Sequence, residues 1–235
     1  HPLNIERISD MQNREVAAPY RQVPDSLDFH LVRARLQAMR GTPAEAERYF
    51  RTLLAEQKAA RVEAAQYGLA VALARQKHWR EAEQVLAELR SARVAAPMIE
   101  RLYAEARVNR GDVTGGLALL KESVGRFPDA IALVYGYAEL LLQAGRPDEA
   151  QRFLDQQLQR RPQDDRLYLL LAKAHAARGR VAQQHRALAE AYWLRGQLPA
   201  AIEQLEIAQK AKGADFYELS AIDARLRQLK RRQQE

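Results

Sequence analysis

The sequence predicts an all-α chain, a superhelix of helix–turn–helix repeats with a half-repeat break and a C-terminal capping helix. Three observations predict it. Ala, Leu, Gln, Glu and Arg dominate the composition and favour helix, while aromatic residues make up only 7%. Turn glycines recur at a fixed period, and columns of small and large apolar residues keep register with those turns. At 235 residues the chain is long enough for one large domain or a repeat array.

The turns come first. Arg110-Gly111-Asp112, Ala144-Gly145-Arg146 and Arg178-Gly179-Arg180 are spaced by 34 residues, and Gly41 and Lys77 fill the same slot upstream. Glycine there permits the positive φ that ends a helix. Seven residues before each turn stands a small residue: Ala34, Ala70, Ala104, Ala138 and Ala172. Five after four of the turns come Ala46, Ala82, Gly116 and Ala150, and four further on Phe50, Leu86, Leu120 and Leu154. Two antiparallel helices that cross closely need small side chains where their backbones meet and large ones beside them. Pro128 and Pro162 close two repeats, because proline cannot continue a helix.

A 34-residue helix–turn–helix period is similar to that of the tetratricopeptide repeat (TPR). The register predicts helix pairs at 27–40 with 43–58, 61–76 with 79–93, 97–110 with 113–126, 130–144 with 147–160, and 164–178 with 181–195. After Gly179 the register breaks. Gln184 stands where a small residue is expected, and Gly196 follows Gly179 by only 17 residues. Counted from Gly196, the slots are filled again by Ala189, Ala201 and Leu205, so 181–195 serves as the second helix of one pair and the first of the next. Asp215 and Glu218 form a capping box, and Phe216, Leu219, Ile222, Leu226 and Leu229 form the apolar stripe of a final helix. The organisation predicted is thus a leading segment 1–26, an array of about five to six repeats over 27–213 with a subdomain break near 164–180, and a capping helix over 214–235.

Chemistry is sparse. With no cysteine, disulfides and thiolate catalysis are excluded, and neither periplasm nor cytosol is favoured. His1, His30, His78, His175 and His185 are dispersed, with no His-Glu-x-x-His and no metal-ligand spacing; His30 and His175 fall at packing slots. There is no nucleophile elbow or phosphate loop, and Gly111–Gly116 lies in a helix–helix turn with no preceding strand. The sequence therefore predicts no catalytic residue, no metal and no cofactor in this stretch. The net charge of +7 is spread among acids. The basic run Arg225–Arg232 reads as a solvated helix end, so no specific nucleic-acid partner is expected. No apolar stretch approaches the ~18–20 residues that span a bilayer.

What remains is binding of a protein or peptide. In a TPR array the first helix of each pair lines the concave face. Two positions per helix should project into it: Leu31, Tyr67, Arg101, Tyr135 and Leu169, then Arg35, Val71, Glu105, Glu139 and Lys173. Tyr67 and Tyr135 suit stacking or hydrogen bonding to an extended peptide, and Arg35, Arg101 and Lys173 suit a carboxylate. Helix 181–195, with His185, Tyr192 and Trp193, is a second candidate surface at the junction, where at least one of the two aromatics should be largely buried.

The opening residues His1-Pro2-Leu3-Asn4-Ile5-Glu6-Arg7-Ile8-Ser9-Asp10-Met11-Gln12-Asn13-Arg14 lie outside the repeat. They resemble the segment that ends the peptidase domain in bacterial periplasmic zinc metallopeptidases with a C-terminal TPR array, the family of the β-barrel assembly-enhancing protease. Ala187 to Leu205 and Tyr217 to Leu229 are similar to that family's tail. The resemblance implies a chain that trails a peptidase domain, whose zinc would be held there and not here. It implies periplasmic localisation, a cytoplasmic site being the alternative. It also implies a scaffold for outer-membrane protein assembly and quality control, with the β-barrel assembly machinery or unfolded outer-membrane proteins as partners. The competing expectation is a stand-alone TPR adaptor, such as a chaperone partner or secretion-system subunit, which would not need the opening motif.

Overall fold

A computed structural model describes residues 25–234, and these form twelve α-helices. They are α1 (Leu27–Ala38), α2 (Pro43–Ala55), α3 (Val62–Arg75), α4 (Trp79–Ser91), α5 (Pro97–Asn109) and α6 (Val113–Arg126). There follow α7 (Ile131–Gln143), α8 (Pro147–Arg160), α9 (Asp165–Ala177), α10 (Val181–Leu194), α11 (Leu198–Lys210) and α12 (Phe216–Gln234). The segment His1–Arg14, and with it the likeness at the start of the chain, lies outside the described residues.

Local chemistry sets the ends. Thr42 and Glu45 close a capping box on α2 with Pro43 at its first position, and Asp112 caps α6 by accepting from the Gly115 N–H at 2.9 Å. The turn slots have the left-handed conformation expected of them: Gly111 at φ 99°, Gly145 at 69°, Gly179 at 68° and Gly196 at 73°. Lys77 takes φ 63° in the same slot without being glycine.

Within each pair the small columns are buried and let the backbones approach, as at Ala70, Ala104, Ala138, Ala82 and Ala150. Between the first two pairs, a Cβ at Gly68 of α3 would lie 2.3 Å from the Phe50 ring of α2, so this position has room for no side chain. Three cores result: one from α1 to the start of α5, one from the end of α5 to α9, and one joining α10, α11 and α12. Helix α10 takes part in two of them. Ala187 and Leu188 pack in the middle core, whereas Ala182, Ala189, Tyr192 and Trp193 pack in the terminal one.

The terminal helix is capped as its sequence predicts, with Glu218 N–H donating to Asp215 Oδ1 at 2.8 Å. Its apolar stripe is shorter than expected. Ile222, Leu226 and Leu229 are buried, but Phe216 is 79% exposed because the first turn extends past the end of the terminal core.

Candidate functional site

The first helices α1, α3, α5, α7 and α9 carry the residues singled out for the concave face. They divide into two groups. At the N-terminal end, Leu31, Tyr67 and Val71 are buried core residues rather than groove residues. Tyr67 lies beneath the charged side chains of its neighbours. The exposed Arg35 donates from Nη1 to its hydroxyl at 3.3 Å, and Arg101 and Glu105 are also close. Burial raises the Tyr67 phenol above its ordinary range, and Arg35 partly offsets this. The expectation that Tyr67 offers a free ring to a ligand is therefore corrected: the ring faces core, and only the hydroxyl meets a polar group.

Further along, the predicted residues form a connected polar chain. Arg101 Nη2 donates to Glu139 Oε2 at 2.8 Å, and Arg166 Nη2 donates to the other oxygen of the same carboxylate at 2.8 Å. The Arg166 guanidinium stacks 4.4 Å from the centre of the Tyr135 ring. The Tyr135 hydroxyl donates to Asp164 Oδ2 at 2.7 Å, while Asp164 Oδ1 accepts from the Leu167 N–H and caps α9. Gly136 lets Arg101 lie flat on α7, since a Cβ there would sit 3.1 Å from Nε. Partial burial, with the hydrogen bond to Asp164 adding to it, pushes the Tyr135 phenol up to about 12. Glu105 has no recorded side-chain partner among the described residues. Burial raises its carboxyl, Arg101 and Arg35 draw it back, and Glu139 adds to the rise.

Beside this chain lies an open cleft of about 310 Å³ between α7, α9 and α10. Leu169, Leu170 and Leu188 make its floor, and Glu139, Arg166 and Lys173 its rim. Lys173 is exposed and has no recorded ion pair among the described residues. An apolar floor inside a charged rim accommodates an apolar side chain while its own peptide groups stay solvated.

Tyr192 is not part of this surface. It and Trp193 are both partly buried against the terminal core. Besides the core, two cations lie over Trp193, with Arg225 and Arg232 at 5.5 and 5.4 Å from its ring centre. His185 Nδ1 lies 2.7 Å from Gln204 Oε1, joining α10 to α11. The residues that sequence reasoning missed are Asp164 and Arg166. They belong to the start of α9 and reach back over α7, whereas the search counted only two slots in the middle of each helix.

Among the described residues no group of three or more His, Cys, Asp or Glu gathers as a metal site, and no helix is long and apolar enough to cross a membrane.

Three family models, each described as a tetratricopeptide repeat, match residues 108–174, residues 67–131, and residues 27–56 with 182–206. The β-barrel assembly-enhancing protease of Yersinia pestis is 27% identical over 237 residues, covering 98% of this chain and 48% of the relative. Its counterpart in Escherichia coli (strain K12) is 28% identical, covering 100% of this chain and 48% of the relative. The chain thus spans about half the length of the curated relatives it matches. A crystal structure of a tetratricopeptide repeat protein from Parabacteroides merdae superposes with a TM-score of 0.52 at 15% identity, covering 86% of each chain. An identity that low speaks for a shared fold alone.

Proposed function

The chain folds as a tetratricopeptide-repeat superhelix, and from that premise we propose that it docks protein partners or substrates for a periplasmic zinc metallopeptidase active in outer-membrane protein assembly and quality control. The repeat scaffold suggests protein–protein interaction. The observation that carries the finer reading is the run of polar groups from Arg101 to Asp164 beside the leucine-floored cleft. A row of fixed donors and acceptors next to an apolar socket suits an extended, partly apolar peptide. Unfolded outer-membrane β-barrel segments, with alternating apolar and polar residues, have that character. The protease connection rests on the whole-length match to half of the β-barrel assembly-enhancing protease. On this reading the zinc and the catalytic residues belong to the portion of that protein which this chain does not match.

The test is fluorescence anisotropy with a labelled peptide from an outer-membrane β-barrel strand, and separately with the purified β-barrel assembly machinery. The triple variant Arg101→Ala, Tyr135→Phe, Lys173→Ala should weaken capture by about tenfold or more, as loss of a hot-spot cluster does, with helical circular dichroism unchanged. Equal binding by wild type and variant, to both probes, would sink the reading.

A further inference from the structure

We infer that the cleft between the end of α4, the first turns of α5 and the end of α6 is an oxyanion-binding site, for a ligand that bears a carboxylate or phosphate. The cleft measures about 460 Å³, within the range of ligand pockets. It shares no residue with the leucine-floored cleft between α7, α9 and α10.

At its back lies Glu100, only 2% exposed. A carboxylate so far from water needs compensation, and two arginines supply it: Arg90 Nε at 3.2 Å and Arg126 Nη2 at 2.7 Å, while the Ser123 hydroxyl, 3.4 Å away, donates to Leu119 O at 2.9 Å. Arg90 also lies 4.9 Å from the centre of the Tyr103 ring, which fixes its guanidinium. Glu100 uses one nitrogen of each arginine at hydrogen-bond distance, and among the described residues the other N–H groups of both forks have no acceptor, which leaves them for a second one. Arg93 also lines the cleft and has no recorded ion pair among the described residues. Glu100 is the only acid in the lining, so three guanidinium groups face one carboxylate and two positive charges are left over.

The repeat itself does not require this cluster. The residues one period either side of Glu100 are Gln66 and Val134, with Tyr168 beyond, and those one and two periods after Arg90 are Val124 and Leu158. Neighbouring repeats pack through neutral side chains there. A buried ion pair is rarely more stabilising than a well-packed apolar substitute, so packing alone does not explain why one boundary carries a buried acid with excess arginines. A fixed carboxylate that orients two arginine forks toward an open cleft does explain it.

The test is isothermal titration at low salt with inorganic phosphate and, separately, with N-acetylaspartate. Arg93 has a φ of 58°, a conformation glycine adopts without strain, so Arg93→Gly removes a cation without threatening the fold. Binding should weaken about threefold in Arg93→Gly and about tenfold or more in Arg93→Gly with Arg126→Gln. The control Arg227→Gln with Arg231→Gln, in the basic run of α12, should change nothing. Binding of phosphate alone identifies a phosphorylated ligand, of N-acetylaspartate alone an acidic one, and of both the shared chemistry. No heat with either probe, or equal loss in the α12 control, overturns the site; if the double variant unfolds, Arg93→Gly alone decides.

Discussion

The Tyr135 hydroxyl donates to Asp164 Oδ2 at 2.7 Å, and through its other oxygen the same carboxylate caps α9. One acid therefore ends the loop of one repeat and pins the exposed face of the repeat before it. The link explains why Tyr135 stays in place at a half-exposed position where an aromatic side chain would otherwise turn freely.

This link is titratable. The folded state holds the Tyr135 phenol at about 12, against an ordinary value of 10.0, so the fold favours the protonated form. The contribution is fully present below pH 10 and is lost as pH rises from there through 12, because the unfolded chain releases its proton first. Tyr135→Phe should cost about 0.5–1.5 kcal/mol at pH 7. Urea melts at pH 9 and pH 11 should show that cost shrinking at the higher pH. A cost independent of pH would mean that neither burial nor the bond to Asp164 holds the phenol above its ordinary range in the fold.

Tyr67 and Arg101 separate fold from surface. Tyr67→Ala removes a fully buried ring and should cost about 3–5 kcal/mol. Arg101→Ala breaks a part-exposed ion pair and should cost about 1 kcal/mol or less. Chemical denaturation followed at 222 nm measures both, and similar costs would contradict the burial pattern.

The contrast between these two residues shows how far the sequence was legible. The 34-residue period locates the turns from Lys77 to Gly179 and the helices between them, because backbone approach demands small residues at set positions. The same period treats Tyr67, Arg101 and Tyr135 as equivalent, which they are not. Side-chain packing on neighbouring repeats decides whether a slot is covered: Tyr67 is fully buried with Arg35 bonded to its hydroxyl, while Tyr135 stays part-exposed with Arg166 across its ring. The buried Glu100 was equally invisible, since its partners Arg90 and Arg126 lie on two different second helices whose ends meet only in three dimensions.

His175 shares its repeat slot with Leu73 and Leu141, both fully buried, and with Arg107, which pairs with Asp112 instead. Its Nδ1 is buried without a hydrogen-bond partner among the described residues. Burial lowers its pKa below 6.5; Arg180 and Arg178 push the same way, and Asp155 and Glu218 oppose them. The folded state thus favours the neutral ring. Stability is complete above the unfolded value and falls as pH drops through it, because only the unfolded chain takes up the proton readily. His175→Leu should flatten the stability profile between pH 7 and pH 5 and raise stability by about 1 kcal/mol at pH 5, where no orphaned polar atom remains. An unchanged slope would assign the acid sensitivity to other groups.

The last prediction concerns α10, a single helix that lines two cores. Its Ala189 is buried in the terminal core, opposite Ala201 and Leu205 of α11, whereas Gln184, at the slot set by the preceding repeat, is only half-buried. A solenoid's stability is close to a sum of nearest-neighbour interfaces, so damage to one interface should stay local. Ala189→Leu forces extra volume between α10 and α11 and should cost about 1–3 kcal/mol. Gln184→Ala should cost less than about 0.5 kcal/mol. Amide hydrogen exchange should then show protection falling in α11 and α12, with α5 to α8 retained, because those four helices belong to the middle core. If protection instead fell evenly across all twelve helices, α10 would be a rigid strut within one cooperative unit rather than the seam between two.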